Sequence, residues 1–347
     1  MRIALDAMGT DRHPATEVEG AVQALRDLPI DFEVILVGDR ERIESELKRW
    51  PDAPAERLAV LHAPEIINPG EAAASAVRRK PNSSIVMGLS LQRKGEADAF
   101  VSAGSTGAVM AASLFLLRPL PGVDRPAVAT ILPTAVQPCL LIDAGANVDC
   151  KPFHLMQFAR LGAVYVEDVW RRPAPRVGLL NIGEEPEKGN EVSAEAHRLL
   201  RSSELNFVGN VEGRDIIKGT CDVLVADGFV GNVLLKFYES VMGFMHGLLA
   251  VELADVRPKL DLDELFRVFD YTEYGGAPLL GVNGISIICH GGSPPRAIRN
   301  AVRVACQAIE TKMLGHIEEA VAGRDEPDAA VGAGEQWSAE RARREGV

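Results

Sequence analysis

Short apolar runs and amphipathic stretches alternate from the first residue. Residues 2–5, 32–37 and 58–61 are apolar runs of strand length. Between them, 14–28 repeats apolar residues at helical spacing, with Val18, Ala21, Val22 and Leu25 on one face, and 40–50 is a charged amphipathic helix. Three strands alternating with two helices, joined by right-handed crossovers, predict a parallel sheet covered by helices on both faces. Helices over 71–79 and 84–93 follow, then a buried strand at 99–101 and a helix through 111–117. The runs 128–132 and 139–142 flank Pro133-Thr-Ala-Val-Gln-Pro138 and read as a hairpin, hence an antiparallel addition to the sheet. Pro152 suits the first turn of a helix running to residue 169. Past a linker at 171–176, strands are predicted at 177–181, 207–211 and 223–226, with a helix ending at residue 200.

On a long helix over 233–251, Leu234, Phe237, Tyr238, Val241, Met242, Met245, Leu248 and Leu249 form one wide stripe. Such a face suits core or a dimer interface, with a membrane-facing helix as the alternative. A short helix at 262–269, a glycine-dense loop over 271–284, a strand at 285–289 and a closing helix at 298–313 complete the pattern. Residues 1–321 read as one α/β domain, open to division into two lobes about a cleft. From Ala322 onward the chain loses periodicity, and 322–347 is expected to be a poorly ordered tail.

Five predicted strands end in polar residues beside glycine: Asp6 to Gly9, Ser102 to Gly107, Asp143 to Asn147, Asp227 to Asn232 and His290 to Ser293. One such turn is ordinary, because Asp and Gly are turn residues. Five are expected to line one shared cleft at the carboxyl ends of the strands. In the second, Ser102-Ala-Gly104-Ser105-Thr106-Gly107 joins strand to helix. It reads equally as a serine-capped turn or as an anion site built from free helix-N-terminal amides and hydroxyls. The Walker ending, the Gly-x-Ser-x-Gly elbow and the dinucleotide fingerprint are absent from the sequence, and no metal-ligand spacing supports a catalytic metal. No cofactor is expected.

The chain has 347 residues, 47% of them hydrophobic, which is ample for a large core. A formal net charge of −12 argues against nucleic-acid binding while leaving room for a local basic pocket. Five cysteines without Cys-x-x-Cys spacing read as buried thiols in a reducing cytosol. No signal peptide and no continuously apolar span of about 20 residues is expected. The densest basic cluster, Arg78-Arg79-Lys80, is either a solvated helix end or an anion clamp.

Six stretches in order carry a resemblance: Ala4-Leu-Asp-Ala-Met-Gly9, Val101-Ser-Ala-Gly-Ser-Thr-Gly-Ala108, Leu141-Ile-Asp-Ala-Gly-Ala-Asn-Val-Asp-Cys-Lys151, Gly183-Glu-Glu-Pro-Glu-Lys-Gly-Asn190, Asp227-Gly-Phe-Val-Gly-Asn232 and Asp270-Tyr-Thr-Glu-Tyr-Gly-Gly-Ala-Pro-Leu-Leu-Gly-Val282. Together they closely resemble the bacterial phosphate acyltransferase family (PlsX), over residue 3 to about residue 313. Two loops depart from the family pattern: Thr10 stands where a second glycine is expected, and His290-Gly-Gly-Ser-Pro-Pro295 replaces a more usual His-Gly-Ser-Ser.

The resemblance implies a three-layer α/β/α fold with a mostly parallel central sheet, similar to phosphate acetyltransferase and the isopropylmalate dehydrogenases. It implies transfer of a fatty acyl group from acyl-[acyl carrier protein] to inorganic phosphate, giving acyl-phosphate for phospholipid synthesis. Phosphate is already an anionic nucleophile, so placement and charge stabilisation suffice without a strong base. On this reading Ser102, Gly104, Ser105, Thr106 and Gly107 form the phosphate loop, and Asp143, Asn147 and Asp227 line the substrate site. Lys188 supplies charge, or else pairs with Glu184, Glu185 or Glu187 on the surface. Asn147 and Asn232 donate hydrogen bonds at the carbonyl. His290 protonates the departing thiolate, or else caps the last helix. Asp143 and Asp227 equally suit ordering of their own turns.

Implied partners are the acyl carrier protein, a second copy of the chain, and the membrane glycerol-3-phosphate acyltransferase that would consume the product. Arg78, Arg79 and Lys80 are the candidate docking patch for the acidic carrier. A cytoplasmic protein, peripheral at the inner face of the plasma membrane, is implied. The acidic composition of 251–269 predicts only weak membrane contact. The alternatives are a short-chain phosphate acetyltransferase using coenzyme A, and a non-catalytic membrane-peripheral scaffold.

Overall fold

The computed structural model describes residues 1–252 and 274–322. The predicted helix at 262–269, most of the predicted membrane-contacting stretch and nearly all of the predicted tail lie outside the described residues.

The first strand, β1 (Arg2–Asp6), is followed by α1 (Ala15–Asp27), β2 (Glu33–Gly38), α2 (Arg40–Leu47) and β3 (Leu58–His62). β1 pairs in parallel with β2, and β2 with β3, as the alternating pattern predicts. Next come α3 (Ala73–Arg79), α4 (Ser84–Arg93), β4 (Ala99–Ser102), α5 (Thr106–Leu116) and the antiparallel hairpin of β5 (Ala127–Leu132) and β6 (Cys139–Ile142). Then α6 (Pro152–Trp170), β7 (Val177–Asn181), α7 (Glu191–Arg201), β8 (Phe207–Glu212), β9 (Val223–Val225) and α8 (Gly228–Glu252) follow. The described chain closes with β10 (Ala277–Leu280), β11 (Ile285–Ile288), α9 (Pro295–Glu310) and α10 (Met313–Val321).

These strands form one sheet in the order β3-β2-β1-β4-β11-β10-β5-β6-β9-β7-β8. Alternate side chains fill two apolar layers. Ile3, Leu5, Val101 and Ile142 meet α1, α6, α9 and α10 on one face. Ala4, Phe100, Leu141 and Leu224 meet α3, α4, α5 and α8 on the other. The fold is thus α/β with helices flanking a mostly parallel sheet.

Two elements depart from the pattern. The stretch read as a glycine-dense loop contains β10, which pairs antiparallel with both β11 and β5. Its flanking Gly275, Gly276 and Gly281 adopt φ of 90°, 83° and 88°, a left-handed backbone that favours glycine at the strand's corners. The long helix α8 starts five residues before the predicted residue 233, because Asp227 Oδ1 accepts the Val230 amide and caps it there.

The pairing also sets strand direction. Three antiparallel steps, β11 to β10, β10 to β5 and β5 to β6, separate the two parallel blocks. An odd number of reversals makes β6, β9, β7 and β8 run opposite to β1, β2, β3, β4 and β11. Their carboxyl ends therefore face opposite edges of the sheet.

Candidate functional site

This reversal corrects the expectation of one shared crevice. Asp6, Ser102 and His290 end β1, β4 and β11 at a first edge. Asp143, Asp227 and Lys188 follow β6, β9 and β7 at a second edge. Six strand spacings separate β4 from β7, about 29 Å along the sheet. Local patterning shows where a strand ends. It carries no information on the direction a non-neighbouring strand takes.

Three loops meet at the first edge. Asp6, fully buried, accepts the Met8 amide on Oδ1 at 3.0 Å and the Ser102 hydroxyl on Oδ2 at 2.6 Å. Ser102 Oγ in turn accepts the Gly104 amide at 3.0 Å. A methyl group at Gly9 would lie 2.5 Å from the Gly104 nitrogen, so the β1 and β4 loops are in direct backbone contact. The Asp11 amide donates to the Gly291 carbonyl at 2.9 Å, which ties the β11 loop to the same cluster. Burial raises the Asp6 carboxyl, while bonds from Ser102, Ser84 and Met8 oppose the shift.

Beyond this knot α5 begins. Ser105 takes the N-cap position, yet its side chain makes no capping bond. Among the described residues, the amides of Ser105, Thr106, Gly107 and Ala108 have no backbone or side-chain acceptor. Thr106 and Gly107 are exposed and Ser105 half-buried. Four undirected amides, two free hydroxyls and the positive end of an eleven-residue helix make an anion-binding junction. Ser102 is different: it is fully buried, and its hydroxyl is spent on Asp6, so it supports the loop from beneath. His290 is exposed and its Nδ1 accepts the Gly292 amide at 3.1 Å, which in the neutral ring leaves the proton on Nε2. The N-cap position of α9 is held by Pro294.

The second edge is organised by Asp143. Its buried carboxylate accepts the amides of Val128, Gly145, Ala146 and Asn147 and the side-chain amide of Asn147. Burial raises its pKa against those bonds. Both side-chain N–H groups of Asn147 are committed, to Asp143 and to the Pro126 carbonyl, so neither is directed at a substrate carbonyl. Asp227 caps α8. Asn232 is half-buried against Gly145, its side chain without a hydrogen bond among the described residues. Lys188 is exposed, and its ammonium makes no ion pair among the described residues; its stem lies over Gly183. Its alternative surface partner Glu184 faces Arg214 instead, at 3.8 Å. Burial, reinforced by the Asp143 charge, pushes the Cys150 thiol up to about 11, so it stays protonated at neutral pH.

The residue missed by sequence reasoning is Glu17; Thr10 stands out in the sequence only as a departure from the family pattern, and its bonds to Glu17 are visible only in the structure. Glu17 is fully buried in the first turn of α1 and grips the β1 loop. A first-turn carboxylate looks like an ordinary response to the helix dipole, and only the packing of α9 over α1 shows it to be internal.

A family model described as "Fatty acid synthesis protein" matches residues 1–315. The phosphate acyltransferase of Desulforamulus reducens is 48% identical over 328 residues, covering 92% of this chain and 97% of that protein. The phosphate acyltransferase of Salinibacter ruber is 48% identical over 329 residues, with 92% and 97% covered. Among solved structures, a phosphotransacetylase from Streptococcus pyogenes superposes with a TM-score of 0.61 at 18% identity, covering 89% of this chain and 94% of that one. A branched-chain phosphotransacylase from Enterococcus faecalis gives a TM-score of 0.52 at 15% identity, with 89% and 99% covered. The structures show a shared fold; the sequence relatives show more, and the chain belongs to the phosphate acyltransferase family, enzymes that transfer an acyl group to phosphate.

Proposed function

We propose that the acyl donor is a fatty acyl thioester of the acyl carrier protein and that the acyl-phosphate formed feeds phospholipid synthesis. The observation that carries the site assignment is the run of four unpaired amides at Ser105 to Ala108. They and the Ser105 and Thr106 hydroxyls hold phosphate. A phosphate oxygen attacks the thioester carbonyl carbon. The C–O bond forms, the C–S bond breaks, and the sulfur leaves as thiolate, which accepts a hydrogen bond from His290 Nε2–H and takes up the proton that hydrogen phosphate gives up on becoming acyl-phosphate. Phosphate needs no deprotonation by a strong base, so binding, orientation and charge stabilisation carry the reaction.

The test is acyl-phosphate formation from an acyl-carrier thioester against acetyl-coenzyme A, each with phosphate. Turnover of the carrier thioester is expected. Turnover confined to acetyl-coenzyme A would convert the assignment to a short-chain enzyme. Ser105→Ala with Thr106→Ala should raise the phosphate requirement more than the thioester requirement. An equal effect on both would make the turn structural.

One observation favours a second placement of the anion. Lys188 and Asn232 are both uncommitted among the described residues at the opposite edge. Phosphate bound there predicts that Lys188→Ala, and not the Ser105/Thr106 double variant, raises the phosphate requirement.

A homodimer belongs to this reading. Val230, Val233, Phe237, Phe244 and Leu248 are exposed along α8 with successive spacings of 3, 4, 7 and 4 residues, a seam that suits a second helix. Docking of the acidic carrier on Arg78 and Arg79 is retained, with both exposed. Lys80 contributes less, because its ammonium is held by Glu71 at 2.6 Å and by the Ile66 carbonyl at 2.7 Å. Among the described residues no helix is long and apolar enough to cross a membrane; a cytoplasmic protein in weak peripheral contact with the membrane completes the reading.

A further inference from the structure

Glu17 holds the β1 loop through three hydrogen bonds. Oε1 accepts the Gly9 amide at 3.1 Å and the Thr10 amide at 2.6 Å, and Oε2 accepts the Thr10 hydroxyl at 3.0 Å. The hydroxyl bond exists only because Thr10 stands where a glycine is expected. The Thr10 carbonyl is fixed as well, by the His13 ring at 2.7 Å. On its other side the same loop leans on Ala103 and Gly104. A methyl at Gly9 would fall 2.5 Å from the Gly104 nitrogen and 2.7 Å from the Ala103 carbonyl carbon. Displacement of Gly9–Thr10 is therefore passed directly to the backbone that leads into Ser105.

We propose that Glu17, acting through Thr10, is a positioning residue for the anion loop and lowers phosphate affinity when it is ionised. The inference rests on the assignment of phosphate to Ser105–Ala108. Both protonation states of Glu17 hold the loop. The ionised carboxylate accepts all three bonds. The neutral acid still accepts the two amides on Oε1, and its Oε2–H donates to Thr10 Oγ1. The states differ in charge: the ionised form places a buried negative charge behind the loop that must receive an anion.

Burial pushes the Glu17 carboxyl up to about 7, with the Asp6 charge adding to the effect and the Thr10 bonds opposing it, so both states are populated near neutral pH. The titratable groups around it are Asp6 at the end of β1, His13 in the same loop and Cys289 at the end of β11. Burial pushes the Cys289 thiol up to about 12, so it stays neutral. From α9, packed on α1, Arg299 is engaged with Asp27 at 3.2 Å, at the far end of the helix, and Arg296 is exposed.

The test measures phosphate binding by calorimetry, and the phosphate and thioester KM values, for wild type, Glu17→Gln and Glu17→Val. Glutamine reproduces the neutral acid, accepting on its oxygen and donating to Thr10 Oγ1 from its nitrogen. Phosphate's own ionisation affects every variant alike, so the ratio of wild-type to Glu17→Gln phosphate Kd is the readout. That ratio is expected to rise roughly threefold from about pH 6 to about pH 8, the effect of one partly screened charge. Glu17→Val should raise the phosphate KM at every pH and leave the thioester KM unchanged. A flat ratio in a wild type that binds phosphate, or equal effects of Glu17→Val on both substrates, would overturn the role of Glu17 alone. Wild type that binds no phosphate would overturn the phosphate assignment together with it.

Discussion

Asn147 places its backbone amide and its side-chain amide on a single oxygen, Oδ2 of Asp143, at 2.7 and 2.9 Å. With three further amides on Oδ1, the carboxylate is the hub of the β6 turn. Asp143→Ala should cost about 3 kcal/mol or more, since it strands several buried donors at once. Chemical denaturation checks this. A loss within about 0.5 kcal/mol would mean that the turn orders itself without the carboxylate.

Ser102 is the equivalent support at the first edge. Ser102→Ala removes a donor to buried Asp6 and an acceptor for the Gly104 amide, at an expected cost of about 1–3 kcal/mol. The phosphate KM should rise with it, because Gly104 leads directly into the anion loop. Unchanged stability and unchanged phosphate KM would remove Ser102 from the support of that loop.

Lys188→Ala should leave stability within about 0.5 kcal/mol of wild type, because the side chain is exposed without an ion pair among the described residues. Any fall in turnover is then a site effect. Unchanged acyl-phosphate formation at saturating substrates would exclude Lys188 from the chemistry.

The two buried acids at the first edge make stability depend on pH in a definite direction. The Glu17 pKa is raised from 4.5 unfolded to about 7 folded, chiefly by burial. Its stabilising contribution is full below the unfolded value and is lost as pH rises through about 7; Asp6, also raised by burial, acts in the same direction. Melting temperature should fall between about pH 5 and about pH 8, and Glu17→Gln should flatten that fall. An identical slope in the variant would show that the carboxyl does not titrate in that window.

Much of the scaffold is legible in local pattern. The runs at β1, β2 and β3 alternate with amphipathic helices, and a parallel block follows from that alternation alone. The β5–β6 hairpin is legible because its connection is short. β10 is not, because its glycine-flanked Ala277–Leu280 has little strand character of its own and is a strand through the ladders on either side. In the site, Ser105 and Thr106 are legible as a small-residue junction before a helix. Which serine is free is not legible, since Ser102 and Ser105 are chemically alike and only burial against Asp6 separates them.

The sequence by itself determined the alternation of strands and helices, the polar–glycine strand ends and, through six ordered stretches, the family. Those features are written in nearest-neighbour chemistry: side-chain period, turn propensity and capping. The tertiary structure alone decided that the strand ends divide between two edges and that Thr10 is clasped by Glu17. Strand direction across an eleven-stranded sheet depends on how many antiparallel steps intervene, and a clasp depends on which buried surfaces meet. Both are properties of contacts between segments distant in sequence or masked by packing, to which local sequence is blind.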